Sequence, residues 1–301
     1  MHISTAQYYT SSAADLQRLQ SQLNQTQEKI SNNTKLLKYS DDPAESSKIA
    51  QLSQRAENLD QYKKNVQSAI NQNNQVGSVL NSITPLLNRV KELGLQANNG
   101  VLSDTTKAQI TTELSQLTDQ LKSLLNTKSD NGQYLFSGFS STQAPFVLQE
   151  GAYQYVGSQD QKNIQLDDQS WAVSVDSGYA LFENITSSAR TQSVLTTLDQ
   201  LSKSIDSNAS FEIGINLSHL DVVIDHLADA SATVGARLQN LDDMIDFQDA
   251  AATSIQQWIA QLKDVDLTSA ATQLNLQSLI LQATQQSFAK ISALGLFDFL
   301  K

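Results

Sequence analysis

Three histidines, His2, His219 and His226, are the imidazoles this chain offers, and the two inner ones stand seven residues apart. On a helix that spacing gives them one face, with Asp225 and Asp229 beside them. Zinc chemistry asks for more: two histidines at i and i+4 and a third ligand, which the sequence lacks. Partly exposed histidines without a metal are the expectation. Paired carboxylates are the next candidates. Asp41–Asp42 and Asp242–Asp243 could in principle share general acid and base roles, yet each has a plainer use. The first pair precedes Pro43 and suits a helix entry. The second lies in the run Asp221, Asp225, Asp229, Asp242, Asp243, Asp246 and Asp249, with only Arg237 as counterweight. Such a run reads as a solvated helix face. The chain has no cysteine, which removes thiolate nucleophiles, disulfides and thiolate metal sites. No Gly-rich phosphate loop follows a strand, and no Gly-x-Ser-x-Gly elbow is present. We therefore expect no catalytic residue, cofactor or metal.

Aromatic residues gather in the middle of the chain: Tyr134, Phe136, Phe139, Phe146, Tyr153, Tyr155, Trp171, Tyr179 and Phe182, among Gly138, Gly151, Gly157 and Gly178. They could line a sugar site, but a small β core needs them anyway. Alternation in Tyr153–Val156 and Trp171–Val175 predicts short strands.

The elements around this centre are helical. Leu16, Leu23, Ile30 and Leu37 recur every seven residues near the start, and Leu267, Leu274, Leu281 and Phe288 near the end. A heptad stripe asks for a partner helix, and the simplest partner for each terminal stripe is the other. The first helix is expected over Tyr8–Leu37. At the break Tyr39–Pro43, Asp41 and Asp42 precede a new helix. Asp42 would cap it, Pro43 fits its first position, and Glu45 would complete a capping box. That helix should pass through Pro85 with a kink and stop at Asn98–Gly100, spanning on the order of 80 Å at about 1.5 Å per residue. A third helix follows from Asp104 to Ser129–Gly132. Helix returns near Thr191, breaks at Ser207–Asn208, and runs on to a hinge at Asp264–Asp266.

The predicted fold is mainly α with a small β-rich insertion, a nested long-helix hairpin with its N- and C-terminal helices paired. Three parts are expected: 1–40 with 264–301 as a terminal coiled-coil assembly domain, 41–132 with 185–263 as a helical rod, and 133–184 as a β-rich inserted domain. Eleven glycines and three prolines in 301 residues suit long helices. A net charge of −11 argues against nucleic acid or an anionic membrane. Leu267–Ala289 carries no charge but too many Gln, Asn and Thr residues to cross a bilayer. No secretory signal is visible at the start. The terminal stripes are narrow and poor in intrahelical ion pairs, so they should be weak helices alone and order on packing against copies or partners.

Several motifs look familiar. His2-Ile3-Ser4-Thr5-Ala6-Gln7, Tyr39-Ser40-Asp41-Asp42-Pro43-Ala44 and Gly235-Ala236-Arg237-Leu238-Gln239-Asn240 together resemble the bacterial flagellin family of axial proteins. Pro43 after the acidic pair, Gly132-Gln133-Tyr134-Leu135-Phe136-Ser137-Gly138 and the ending Ala289 to Leu300 resemble its hook–filament junction branch more than filament flagellin. The resemblance covers both helical ends and not the insert. It implies a flagellin-like, non-enzymatic adaptor, secreted by type III export without a cleaved signal and extracellular in the flagellum. It also implies self-polymerisation in a short layer, the first hook-associated protein and flagellin as neighbours, and a cytoplasmic export chaperone over the C-terminal helix. A short filament flagellin and a secreted coiled-coil effector or adhesin are the competing readings.

Overall fold

The computed structural model describes residues 2–99, 103–140, 142–187 and 190–297. Gly100 of the expected helix stop, and Asp298, Phe299 and Leu300 of the C-terminal motif, lie outside the described residues, as do the side chains of His2 to Ala6. The elements run α1 (His2–Ser31), α2 (Pro43–Asn98), α3 (Asp104–Leu125), β1 (Phe146–Gln149), β2 (Ala152–Tyr155), β3 (Lys162–Gln165), β4 (Trp171–Val175), a π-helical turn (Tyr179–Glu183), β5 (Ile185–Thr186), β6 (Thr191–Gln192), α4 (Val194–Asp206), α5 (Ser210–Lys263) and α6 (Leu267–Phe297). The chain divides into two compact units, Met1–Asn58 with Ala251–Lys301, and Leu59–Ala250.

Helix ends follow local chemistry. α1 stops at Ser31, before the expected Leu37, because Asn33 takes a left-handed conformation (φ 47°) and the Thr34 amide reaches back to the Lys29 carbonyl at 3.0 Å. That wrap is the Schellman arrangement, which Asn tolerates better than other residues with a Cβ. Asn208 (φ 54°) ends α4 in the same way, with the Ala209 amide on Ser204 O. α2 continues unbroken through Pro85. Ser103 and Ser193 cap α3 and α4 by accepting from the amides of Thr106 and Thr196.

In the Leu59–Ala250 unit, Leu80, Ile83 and Leu87 of α2, Leu114 and Leu121 of α3, Leu195, Leu198 and Leu201 of α4 and Leu220 and Val223 of α5 are fully buried in one core. Each such side chain contributes about 1.5–3 kcal/mol by leaving water. Gly94, inside α2, lets the helices close up: a Cβ there would stand 2.7 Å from Leu217 Cδ2 and 3.3 Å from Leu201 Cδ2.

Among the described residues the insert forms two antiparallel hairpins, β1–β2 and β3–β4, and a third pair, β5–β6, follows it; the three are separate and not one sheet. Glu150 and Gly151, both with positive φ, make the tight β1–β2 turn. Its aromatics divide. Phe136, Phe146 and Phe182 are buried in the same core as the helices, with Phe136 and Phe182 edge to face at 5.1 Å. Phe139 and Trp171 stand exposed.

Two expectations change here. His219 is 1% exposed, not partly exposed: its position on α5 falls on the inward face beside Leu220 and Val223. Burial pushes its pKa down, with the Gln192 backbone opposing and the Arg190 charge adding to the depression. Arg237 is no counterweight to the α5 acids. It crosses to the insert and grips Asp176 with Nη2 at 3.0 and 3.2 Å from the two carboxylate oxygens, while Nη1 donates to Asn73 Oδ1 at 3.2 Å. Asn73, fully buried, donates in turn to Ala69 O and Ser174 O. The insert is thereby pinned to α2 and α5 by a satisfied polar knot. Lys91 and Lys63 pair with Asp221 and Asp249 instead.

Candidate assembly interface

Within the Met1–Asn58 and Ala251–Lys301 unit, α1 packs along α6. The direction is antiparallel: Tyr9 meets Phe288 edge to face at 5.9 Å, while Thr26 and Lys29 share a groove with Ser269 and Ala270. Among the eight stripe residues, Leu281 is buried, and Leu16, Leu23, Ile30, Leu274 and Phe288 are half-buried. Leu267, the first residue of α6, is exposed. Leu37 is half-buried but stands beyond the end of α1, so it belongs to the connection and not to the helical stripe. Sequence reasoning missed the second row of the seam, because its members are small or polar. Thr26 and Ala270 are buried, and Gln277 buries its Oε1 without a hydrogen-bond partner. A seam with Thr and Gln at its centre holds two helices less firmly than a Leu-filled one.

The acidic motif builds the entry to α2. Asp42 Oδ1 accepts from the amides of Ala44 and Glu45 at 3.0 and 2.9 Å, and Pro43 is the first helical residue. Asp41 Oδ2 takes the amides of Leu37 and Lys38, both at 3.0 Å, and so folds the connection back on itself. Only the Asp42 half of the capping box forms, since the Glu45 side chain does not return to the Asp42 amide. Glu45 turns its carboxylate onto Lys35 Nζ at 3.0 Å, because the Lys35 backbone amide donates to Lys263 O at 2.8 Å and holds the residue next to it. One short connection thus ties the end of α1 to the start of α2 and the end of α5. The hinge uses the same device. Asp266 accepts from the Thr268 and Ser269 amides and from the Ser269 hydroxyl, and the hydroxyl foremost lowers its carboxyl pKa.

α6 also carries a second apolar row. Leu276, Leu279, Ile280 and Ile291 recur at helical spacing and are all exposed, Leu276 and Leu279 by 56% and 63%. A Gln-rich helix with Lys290 as its one charged residue that keeps four large aliphatic side chains in water is built to be covered. Among the described residues no helix is long and apolar enough to cross a membrane, and no three His, Asp or Glu side chains gather as a metal ion would need.

These features define the class: a mainly α, flagellin-like fold with long paired terminal helices and a small β-rich region. Residues 3–141 match the family model for the bacterial flagellin N-terminal helical region. Flagellar hook-associated protein 3 of Escherichia coli (strain K12) is 31% identical over 189 residues, 63% of this chain and 59% of its own length. The protein of that name from Salmonella typhimurium (strain LT2) shows the same identity and coverage. The chain therefore spans about three fifths of the length of these curated relatives. Among solved structures, hook associated protein-3 from Legionella pneumophila matches with a TM-score of 0.65 at 17% identity, over 71% of this chain and 98% of that one. FlgL of Bacillus cereus matches with 0.57 at 22%, over 70% and 99%. At these identities the shared property is the fold. The chain is similar to the hook-associated members of the flagellin family, as its motifs implied.

Proposed function

We propose that this chain is a structural adaptor of the bacterial flagellum, joining hook to filament by polymerising through its terminal helices, with no catalytic role. Segments 1–40 and 264–301 act as its assembly domain, and the first hook-associated protein and flagellin are its neighbours on either side. It travels unfolded through the type III apparatus, with an export chaperone over the C-terminal helix, and works outside the cell. The observation that carries this reading is the exposed row Leu276, Leu279, Ile280 and Ile291 on a helix that is already paired with α1. An apolar row left over after intramolecular pairing supports packing between subunits. The likeness to hook-associated protein 3 favours the junction over the filament itself.

A deletion strain tests the proposal. Loss of the chain should leave hooks intact, with unassembled flagellin in the medium, and a plasmid copy should restore filaments. Normal filaments in the deletion strain would overturn it.

A further inference from the structure

The chain carries a cationic groove that its own net charge makes conspicuous. In the Met1–Asn58 and Ala251–Lys301 unit, Lys48, Leu52 and Arg55 of α2 and Trp258 and Leu262 of α5 line an open groove of about 520 Å³. Leu52 and Leu262 are half-buried at its floor, and Trp258 is 50% exposed. Among the described residues neither Lys48 nor Arg55 has an acidic partner. The groove therefore offers an aromatic surface flanked by two uncommitted cations, and suits an aromatic side chain set among carboxylates.

Such a group exists elsewhere on this chain. Phe247 is 67% exposed on α5, with Asp243 one turn before it and Asp246 adjacent. Other exposed aromatics have acidic neighbours too, but those acids are engaged. Asp41 and Asp42 beside Tyr39 accept backbone amides, and Glu212 beside Phe211 pairs with Arg190. Among the described residues Asp246 has no cationic partner, and Asp243 accepts only from Gln239, its neighbour on the same helix face.

We propose that the Lys48–Arg55–Trp258 groove of one subunit receives the Phe247 side chain of a second copy, with Asp243 and Asp246 set against the two cations. Groove and knob occupy different parts of the chain, so one such contact uses the groove of one copy and the knob of the other. It leaves a free groove on one copy and a free knob on the other. Made one way between successive copies, such contacts propagate into rings or helices; made reciprocally, they close at a dimer. The inference rests on the self-assembling reading above and names a contact for it apart from the terminal helices.

Purified full-length chain with p-benzoylphenylalanine in place of Phe247 provides the test. Irradiation at high protein concentration should give a covalent dimer whose cross-linked peptides lie within residues 48–55 or 256–262. Reversing the groove in the same chain (Lys48→Glu with Arg55→Glu) should cut the dimer about tenfold, since like charges then face each other. Placing Asp243→Lys and Asp246→Lys alongside the probe in that reversed chain should restore it, and circular dichroism should show both variants folded. No dimer, a dimer mapped to other peptides, or a yield indifferent to the reversal would overturn the contact. Junction function would survive that result if the deletion phenotype held. Cross-linking as expected in a chain whose deletion leaves filaments intact would instead keep the contact and discard the junction.

Discussion

Asp176 and Arg237 form the residue pair with the largest expected share in stability, since both side chains are mostly buried and Asn73 completes their hydrogen bonding. Asp176→Ala leaves the guanidinium unpaired in a partly dry site and should cost roughly 3 kcal/mol in urea unfolding of the purified chain. His219 sets a pH dependence. Its folded-state pKa lies below the ordinary value of about 6.5, so below that pH the unfolded chain binds the extra proton first. Stability should therefore be full above about pH 6.5 and fall as the pH drops towards the folded pKa. Comparing urea midpoints at pH 7 and pH 5, His219→Gln should lose less than the wild type. An equal loss would assign the acid sensitivity to other groups. Neither role was legible beforehand. Arg237 stood in a recognisable motif, but its partner lies 61 positions away in a loop, and no helical periodicity reports a contact of that kind. His219 looked incidental because its neighbours at i and i+7 were weighed as ligands, not as positions on a buried face.

The helices were the legible elements. Heptad phase, Asp42 before Pro43 and the Asp264–Asp266 hinge located α2, α5 and α6, because helix ends and faces are written in local residue types. The end of α1 was lost for a related reason. Asn33 supplies a left-handed stop that outranks the stripe continuing to Leu37. The second row of the α1–α6 seam escaped notice because Thr26, Ala270 and Gln277 carry no apolar signal. The same composition makes the pairing weak, so in free subunits the terminal helices should contribute little stable helix. Truncation of residues 1–38 and 264–301 should remove little circular-dichroism signal compared with the soluble full-length monomer. A large loss would show that these helices are stable before assembly.

At the scale of the whole molecule, a cysteine-free chain of long helices and a small hairpin-rich insert presents extended helical faces. The insert was visible in the sequence as a change of texture, but its integration was not. Phe136, Phe146 and Phe182 join the helical core, so the hairpins are fastened to the helices instead of packing around a core of their own. An exposed row on α6 and a groove on α2 and α5 then leave two faces for neighbours. The central claim is a location, and immunogold electron microscopy of isolated hook–filament assemblies measures it most directly. Antibody to this chain should mark one narrow band where hook meets filament. Label along the whole filament would make the chain a flagellin, and label absent from the appendage would contradict the account altogether.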